Sequence, residues 1–292
     1  MRIEMASEPG DAGRPNEDHT SVALPASGDG GALVVLDGVT PPDDDGCAHG
    51  VPWFTSRLGG ALLELAASRR DLTLASCLSE AITRTSEAHR STCDLSHPRT
   101  PQATVVAARW DEDVVEHLVL SDSVLLLEGV DGTVTPLLDT RLDRLPESVR
   151  SLAAEARALP RGSAERAAAG AVYARAVEAL RNSPCGDGFH TAAADPDVAR
   201  LAVTGTTPRA DVGALLGLTD GASRWVETFR LGGWPELLEL VRKEGPYALV
   251  ARVREAESAD PDGTAFPRGK AHDDATTVYV ELPRPQLASD AR

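Results

Sequence analysis

The stretch Leu33-Val34-Val35-Leu36-Asp37-Gly38 decides how the chain reads. Four apolar residues run into an Asp-Gly pair and a polar loop, the pattern of a buried strand ending at a turn. The Asp37 carboxylate then sits where the strand leaves the core, and Gly38 lets the backbone turn and be approached closely. The same grammar returns in Ala214-Leu215-Leu216-Gly217-Leu218-Thr219-Asp220-Gly221, and Asp273-Asp274 stands just before Thr277-Val278-Tyr279-Val280. Acidic residues at strand ends, distant in sequence and converging in space, make a site for hard divalent cations.

Working outward, a strand over 20–24 should pair antiparallel with the Leu33 strand across a Gly- and Asp-bearing turn at 27–31. Helical spacing follows over 53–68 and 74–90, then strands over 103–110, 114–120 and 124–129. Asp131-Gly132 is a hairpin turn leading into 133–135. Residues 151–180 are Ala- and Arg-rich and helical, with a break at Pro160-Arg161-Gly162. The stretch 182–209 reads as a mobile excursion, a helix covers 235–243, and Pro246 restarts a further helix. Short antiparallel strands after two helices give an α+β class rather than a parallel βαβ fold. The expectation is one domain over 1–282, with a flap at about 182–209 and a disordered tail at 283–292.

With 292 residues and a 42% apolar fraction the chain can bury a substantial core. Acidic residues outnumber basic ones, 45 to 29, for a formal charge of −16. That excludes a nucleic-acid surface, which needs clustered Lys and Arg. No apolar run approaches a membrane span and the N-terminus carries no apolar leader segment, so no membrane partner and a cytoplasmic location are expected. Cys47, Cys77, Cys93 and Cys185 are scattered without a CxxC pair and read as reduced cytosolic thiols. Cys47-Ala48-His49 and Cys93-Asp94-Leu95-Ser96-His97 carry zinc-type donors, at spacings that match no common finger.

The acidic residues beside strand ends are Glu17, Asp18, Asp37, Asp122, Asp220 and Asp273. If they converge, metal ions or protons must relieve their repulsion. Carboxylates, a backbone carbonyl and water suit Mg²⁺ or Mn²⁺, whereas no histidine-rich set is present for zinc or copper. Two such ions about 3.5–4 Å apart can bridge a water and hold it in line with a phosphorus.

In their order along the chain these pieces resemble the metal-dependent PPM-type (type 2C) serine/threonine phosphatases. The matching segments are Arg14-Pro15-Asn16-Glu17-Asp18, Val34-Val35-Leu36-Asp37-Gly38, Pro101-Gln102-Ala103-Thr104, Leu120-Ser121-Asp122-Ser123, Leu218-Thr219-Asp220-Gly221 and Asp273-Asp274-Ala275-Thr276. The resemblance implies an antiparallel β-sandwich flanked by pairs of helices, with metals at one end. It implies two Mn²⁺ or Mg²⁺ ions, with Asp37 bridging both. The Gly38 carbonyl and Glu17 would serve one ion, and Asp220 and Asp273 the other. Asp18 would hold metal-bound waters, and Asp122 would serve a third, weaker ion. Arg14 would grip the substrate phosphate, since a guanidinium fork matches phosphate oxygens.

The sequence also departs from that family. Where the family continues Asp-Gly-His-Gly-Gly, with the histidine as proton donor to the leaving group, this chain reads Asp37-Gly38-Val39-Thr40-Pro41. His49 is the nearby candidate for the missing acid. Arg14 lies three residues before Glu17 where the family more often has four, and Asp274 stands where many members have Asn. His19, Trp53 and Trp225 read as packing residues. The resemblance implies a phosphomonoester hydrolase acting on protein phosphoserine or phosphothreonine. Two alternatives stay open: a small phosphorylated metabolite as substrate, and a non-catalytic regulatory protein that kept the fold.

Overall fold

The computed structural model describes residues 1–25, 30–41, 44–160, 162–183 and 188–283. Two five-stranded antiparallel sheets form its centre. In the first, β1 (Arg2–Glu8) lies at one edge, followed by β10 (Ala275–Glu281), β9 (Val212–Leu218), β6 (Val124–Gly129) and β7 (Val134–Leu137). In the second the order is β2 (His19–Ala23), β3 (Gly31–Gly38), β4 (Ala103–Trp110), β5 (Val114–Leu120) and β8 (Val203–Pro208).

The period-2 alternation of side chains explains how the central strands are buried on both faces. Leu33 and Val35 of β3 pack with Val106, Leu215, Val278 and Val280 in the layer between the sheets. The intervening Ala32, Val34 and Leu36 face the other way, against Leu58 and Leu62 of α1 (Val51–Ser68) and Leu78 and Ile82 of α2 (Leu74–His89). On the far side Leu216, Leu218 and Tyr279 pack with Trp225 of α5 (Asp220–Glu227), Leu238 of α6 (Trp234–Glu244) and Val250 of α7 (Pro246–Ala259). The result is a four-layer αββα sandwich, the α+β arrangement anticipated from the sequence.

Several elements differ from the sequence expectation. β1 is an addition, because Arg-Ile-Glu-Met-Ala-Ser-Glu belongs to an edge strand and only Ala6 is fully buried. α5 is another, since Asp220-Gly221 reads as a turn but opens an eight-residue helix. Within 182–209, residues 203–208 pair with β5 as an edge strand, and Pro196–Leu201 form a 3-10 helix. The hairpin of α3 (Glu147–Ala158) and α4 (Ala164–Leu180), divided at the Pro160 break, also reaches the site, where Tyr173 and Val177 line the same cavity as Phe189 and Thr191 of the 182–209 stretch. It has its own small apolar cluster of Leu145, Val149, Phe189 and Tyr173 rather than a share of the main cores. The proposed turn residues 27–29, Cys185 and the tail from 284 onward lie outside the described residues.

Gly217 marks a place where the two sheets approach tightly. A Cβ there would stand 3.0 Å from Val35 Cγ2 and 3.2 Å from Val278 Cγ1. Gly217→Leu should therefore overpack the inter-sheet layer and lower stability by about 1–3 kcal/mol in urea unfolding. Gly60, on the exposed face of α1 with open space around it, should behave oppositely. Gly60→Ala is expected to stabilise by about 0.5–1 kcal/mol, because alanine is the better helix former.

Candidate metal centre

Antiparallel pairing carries the acidic residues to one end of the sandwich. Asp37 is the penultimate residue of β3 and lies opposite Thr104 in β4. The loop with Glu17 and Asp18 enters β2 at that same end, since His19 pairs with Leu36. Asp122 follows β5, Asp220 follows β9 as the first residue of α5, and Asp273 precedes β10. Asp37, Gly38, Asp122, Asp220 and Asp273 wall one cavity of about 270 Å³.

Local bonding holds Asp18, Asp122 and Asp273 in place. Thr219 Oγ1 donates to Asp18 Oδ2 at 2.9 Å and accepts the Thr276 N–H at 2.9 Å, tying the entry to β2 to the ends of β9 and β10. Ser121 adopts a left-handed φ of 69° and donates its N–H to Asp139 Oδ2 at 2.9 Å, shaping the turn that presents Asp122. Arg224 of α5 donates to Asp273 Oδ2 at 2.7 Å and to the buried Glu257 at 2.6 Å. Arg254 and His272 also bond Glu257, at 2.8 and 2.9 Å, so Asp273 rests on a hydrogen-bonded charge network. Asp274 plays a structural part, accepting the N–H groups of Gly10 at 2.8 Å and Glu17 at 2.7 Å and so clamping two loops together. Close packing explains Gly38, where a Cβ would lie 2.6 Å from the Glu17 carbonyl.

The other sequence candidates fall around this cavity. Glu17 accepts a hydrogen bond from Thr40 and, with Arg14, borders an adjoining recess of about 60 Å³ that Asp273 and Lys270 share. Asp18 does not line the cavity; its Oδ2 accepts the Thr219 hydroxyl. His49 does not line the cavity: its ring stacks on Trp53 at 4.5 Å and its Nε2 is 3.2 Å from Thr92 Oγ1.

Two cationic residues that sequence reading missed are at the cavity. Lys270 Nζ donates to Asp273 Oδ1 at 2.6 Å and to Thr40 Oγ1 at 3.1 Å. Burial works against its charge, but the adjacent Asp273 holds its pKa above the ordinary lysine value. Arg181, just past α4, lines this cavity and the neighbouring cleft of about 560 Å³ that also contains Arg14. Its Nε is buried without a hydrogen-bond partner. A tract read only as an Ala- and Arg-rich helix gives no sign that its end reaches a distant acidic site.

The acidic set suits hard divalent ions. Its donors are oxygens, and Asp18 Oδ1 is buried with no hydrogen-bond partner. Burial, reinforced by neighbouring carboxylates, pushes Asp18 up to about 8, Asp122 up to about 7 and Asp273 up to about 6. Asp37 is raised well above the usual carboxylate range by burial and by Asp220, Asp18, Asp122 and Asp273. Divalent cations would relieve the repulsion that protons relieve in their absence.

The sign of the resulting pH dependence follows from these raised values. The folded carboxyls keep protons that an unfolded chain has released by about pH 5. Stability without metal should therefore decline as pH rises towards 8, through the folded pKa values of about 6 to about 8. Thermal unfolding at about pH 5.5 and about pH 8, in chelator and in Mn²⁺, checks this against the linkage expected for metal binding. Mn²⁺ should flatten the decline, whereas parallel pH slopes in the two conditions would contradict the assignment.

No family model and no curated protein sequence matches the chain. Solved structures do. The serine/threonine phosphatase Stp1 from Staphylococcus aureus aligns over 96% of this chain and 94% of its own, with a TM-score of 0.57 at 14% identity. The Mycobacterium tuberculosis serine/threonine phosphatase PstP aligns over 96% and 98%, with a TM-score of 0.54 at 17% identity. A structure of the PstP catalytic domain in complex with two manganese ions aligns over 96% and 97%, at 0.51 and 17%. This chain has the fold of the PPM-type serine/threonine phosphatases.

Proposed function

We propose that the protein is a metal-dependent phosphomonoester hydrolase of the cytoplasm, acting by default on phosphoserine or phosphothreonine in proteins. The observation that carries this reading is the cavity walled by Asp37, Asp122, Asp220 and Asp273, which adjoins a cleft containing Arg14 and Arg181. An acidic metal centre beside a cationic cleft is what a phosphate ester needs at its two ends. The manganese complex of PstP, on the same fold, supports a centre of two ions; in our reading these are Mn²⁺ or Mg²⁺, with Asp122 offered to a third.

In this reading Asp37 would be the shared ligand, Glu17 and the Gly38 carbonyl would serve one ion, and Asp220 and Asp273 would serve the other. Asp18 orients water from behind. Bound divalent ions supply an activated water and screen the phosphoryl oxygens. Arg14 and Arg181, which both line that cleft, hold the phosphate from the cleft side. The position of the family's acid is Val39. Among the proton-bearing groups that line the cavity, the Lys270 ammonium is the one bonded to Asp273, and we assign it that role in place of His49.

The Lys270–Asp273 ion pair also favours a second reading, in which the ammonium is a permanent counter-ion and the protein binds phosphorylated partners without turnover. Phosphate release from phosphopeptides and small phosphate esters, with Mn²⁺, separates the two. The hydrolase reading expects metal-dependent release that drops by about 10²-fold or more in Asp37→Asn, as for loss of a central electrostatic stabiliser. Arg181→Ala should lower kcat/KM by about 10- to 100-fold, the scale of one charge-assisted hydrogen bond. Release no greater than in Asp37→Asn, for every ester tried, would leave the binding protein.

A further inference from the structure

A second cluster of ligand-type side chains lies outside the carboxylate cavity. Cys47 sits in the loop before α1, His89 is the last residue of α2, and Cys93 lies in the turn after it. Their donor atoms all lie within 4.8 Å of one another. Cys47 Sγ is 3.3 Å from Cys93 Sγ and 3.5 Å from His89 Nδ1. Tetrahedral bonds of about 2.3 Å to sulfur and about 2.1 Å to nitrogen set donor–donor edges of about 3.5–3.8 Å. These two separations are therefore close to tetrahedral edges around one ion, and the third edge, from Cys93 to His89, is within 4.8 Å.

The backbone prepares both sulfurs. The Ala48 N–H donates to Cys93 Sγ at 3.4 Å and the His49 N–H to Cys47 Sγ at 3.5 Å. Such donors favour thiolates over thiols and fix the direction of their lone pairs. Two further backbone bonds join the same pieces: Asp94 N–H to the Gly46 carbonyl at 2.9 Å, and Cys93 N–H to the His89 carbonyl at 3.0 Å. His89 is 1% exposed, and its ring packs on Trp53 at 5.1 Å.

We propose that Cys47, His89 and Cys93 bind a thiophilic divalent cation, Zn²⁺, which ties the loop leading into α1 to the end of α2. Water completes the coordination. Spacing along the chain hid this site, because it pairs Cys93 with His97. The true nitrogen partner precedes Cys93 by one turn, and the His97 Nδ1 instead accepts the Arg99 N–H at 3.2 Å. The donor set differs in kind from the carboxylate centre, so the two sites should sort metals, with thiolates taking Zn²⁺ and oxygens taking Mn²⁺ or Mg²⁺.

The test is Co²⁺ titration of the fully reduced protein, read by thiolate-to-cobalt charge-transfer absorption, which carboxylate ligands do not produce. The wild type and Asp37→Asn should both give the band, saturating at one equivalent and bleached by Zn²⁺, which binds such sites more tightly. Cys47→Ser and Cys93→Ser, checked for native circular dichroism, should each lose it. Zn²⁺ should also raise the unfolding midpoint of Asp37→Asn but not of the Asp37→Asn/Cys93→Ser double variant. Absence of the band in the reduced wild type, or its full retention in Cys93→Ser, overturns the proposal and leaves the sulfurs as a thiol pair open to oxidation.

Discussion

Mutual repulsion among buried carboxylates is the constraint on which this molecule turns. Asp37, Asp122, Asp220 and Asp273 share one cavity, and burial makes charge costly at Asp37, Asp122 and Asp273. A fold assembled for stability would not gather them. Here they are held by structure invested around them, including the Arg224–Glu257 network beneath Asp273 and the Thr219 hydroxyl on Asp18. The apolar layers of the sandwich supply the stability that this one end gives up.

The architecture explains how the burden is confined. Strands of both sheets end or begin at the same edge of the sandwich, so a residue one step beyond a strand reaches the site whatever its place in the sequence. The helices of the two outer layers pack on the sheet faces and leave this edge open. The α3–α4 hairpin crosses it, resting on a small apolar cluster of its own and bringing Tyr173 and Arg181 to the cleft. An arm with so little shared core can vary without disturbing the sandwich.

Much of this is legible in the sequence because it depends on short-range pattern. The Leu33–Gly38 run marks β3 and its terminal carboxylate, and the repeated Asp at strand ends marks the rest of the cavity wall. What escapes depends on tertiary placement. The edge strand β1 buries too little for alternation to show. Arg181 and Lys270 are ordinary surface residues in sequence, and only the fold sets one beside the cleft and the other on Asp273. His49 illustrates the converse: closeness to Asp37 in sequence suggests an acid, but helix α1 begins two residues later and its ring goes to Trp53. Cys47 and His89 lie 42 residues apart, so no spacing rule could pair them.

The central claim is that the acidic cavity is a binuclear divalent-metal centre. A crystal structure of the protein grown with Mn²⁺, with an anomalous-difference map, addresses it directly. The account predicts two peaks about 3.5–4 Å apart that share Asp37, with the Lys270 ammonium displaced from Asp273. A cavity without peaks, and Lys270 still paired to Asp273, would contradict it.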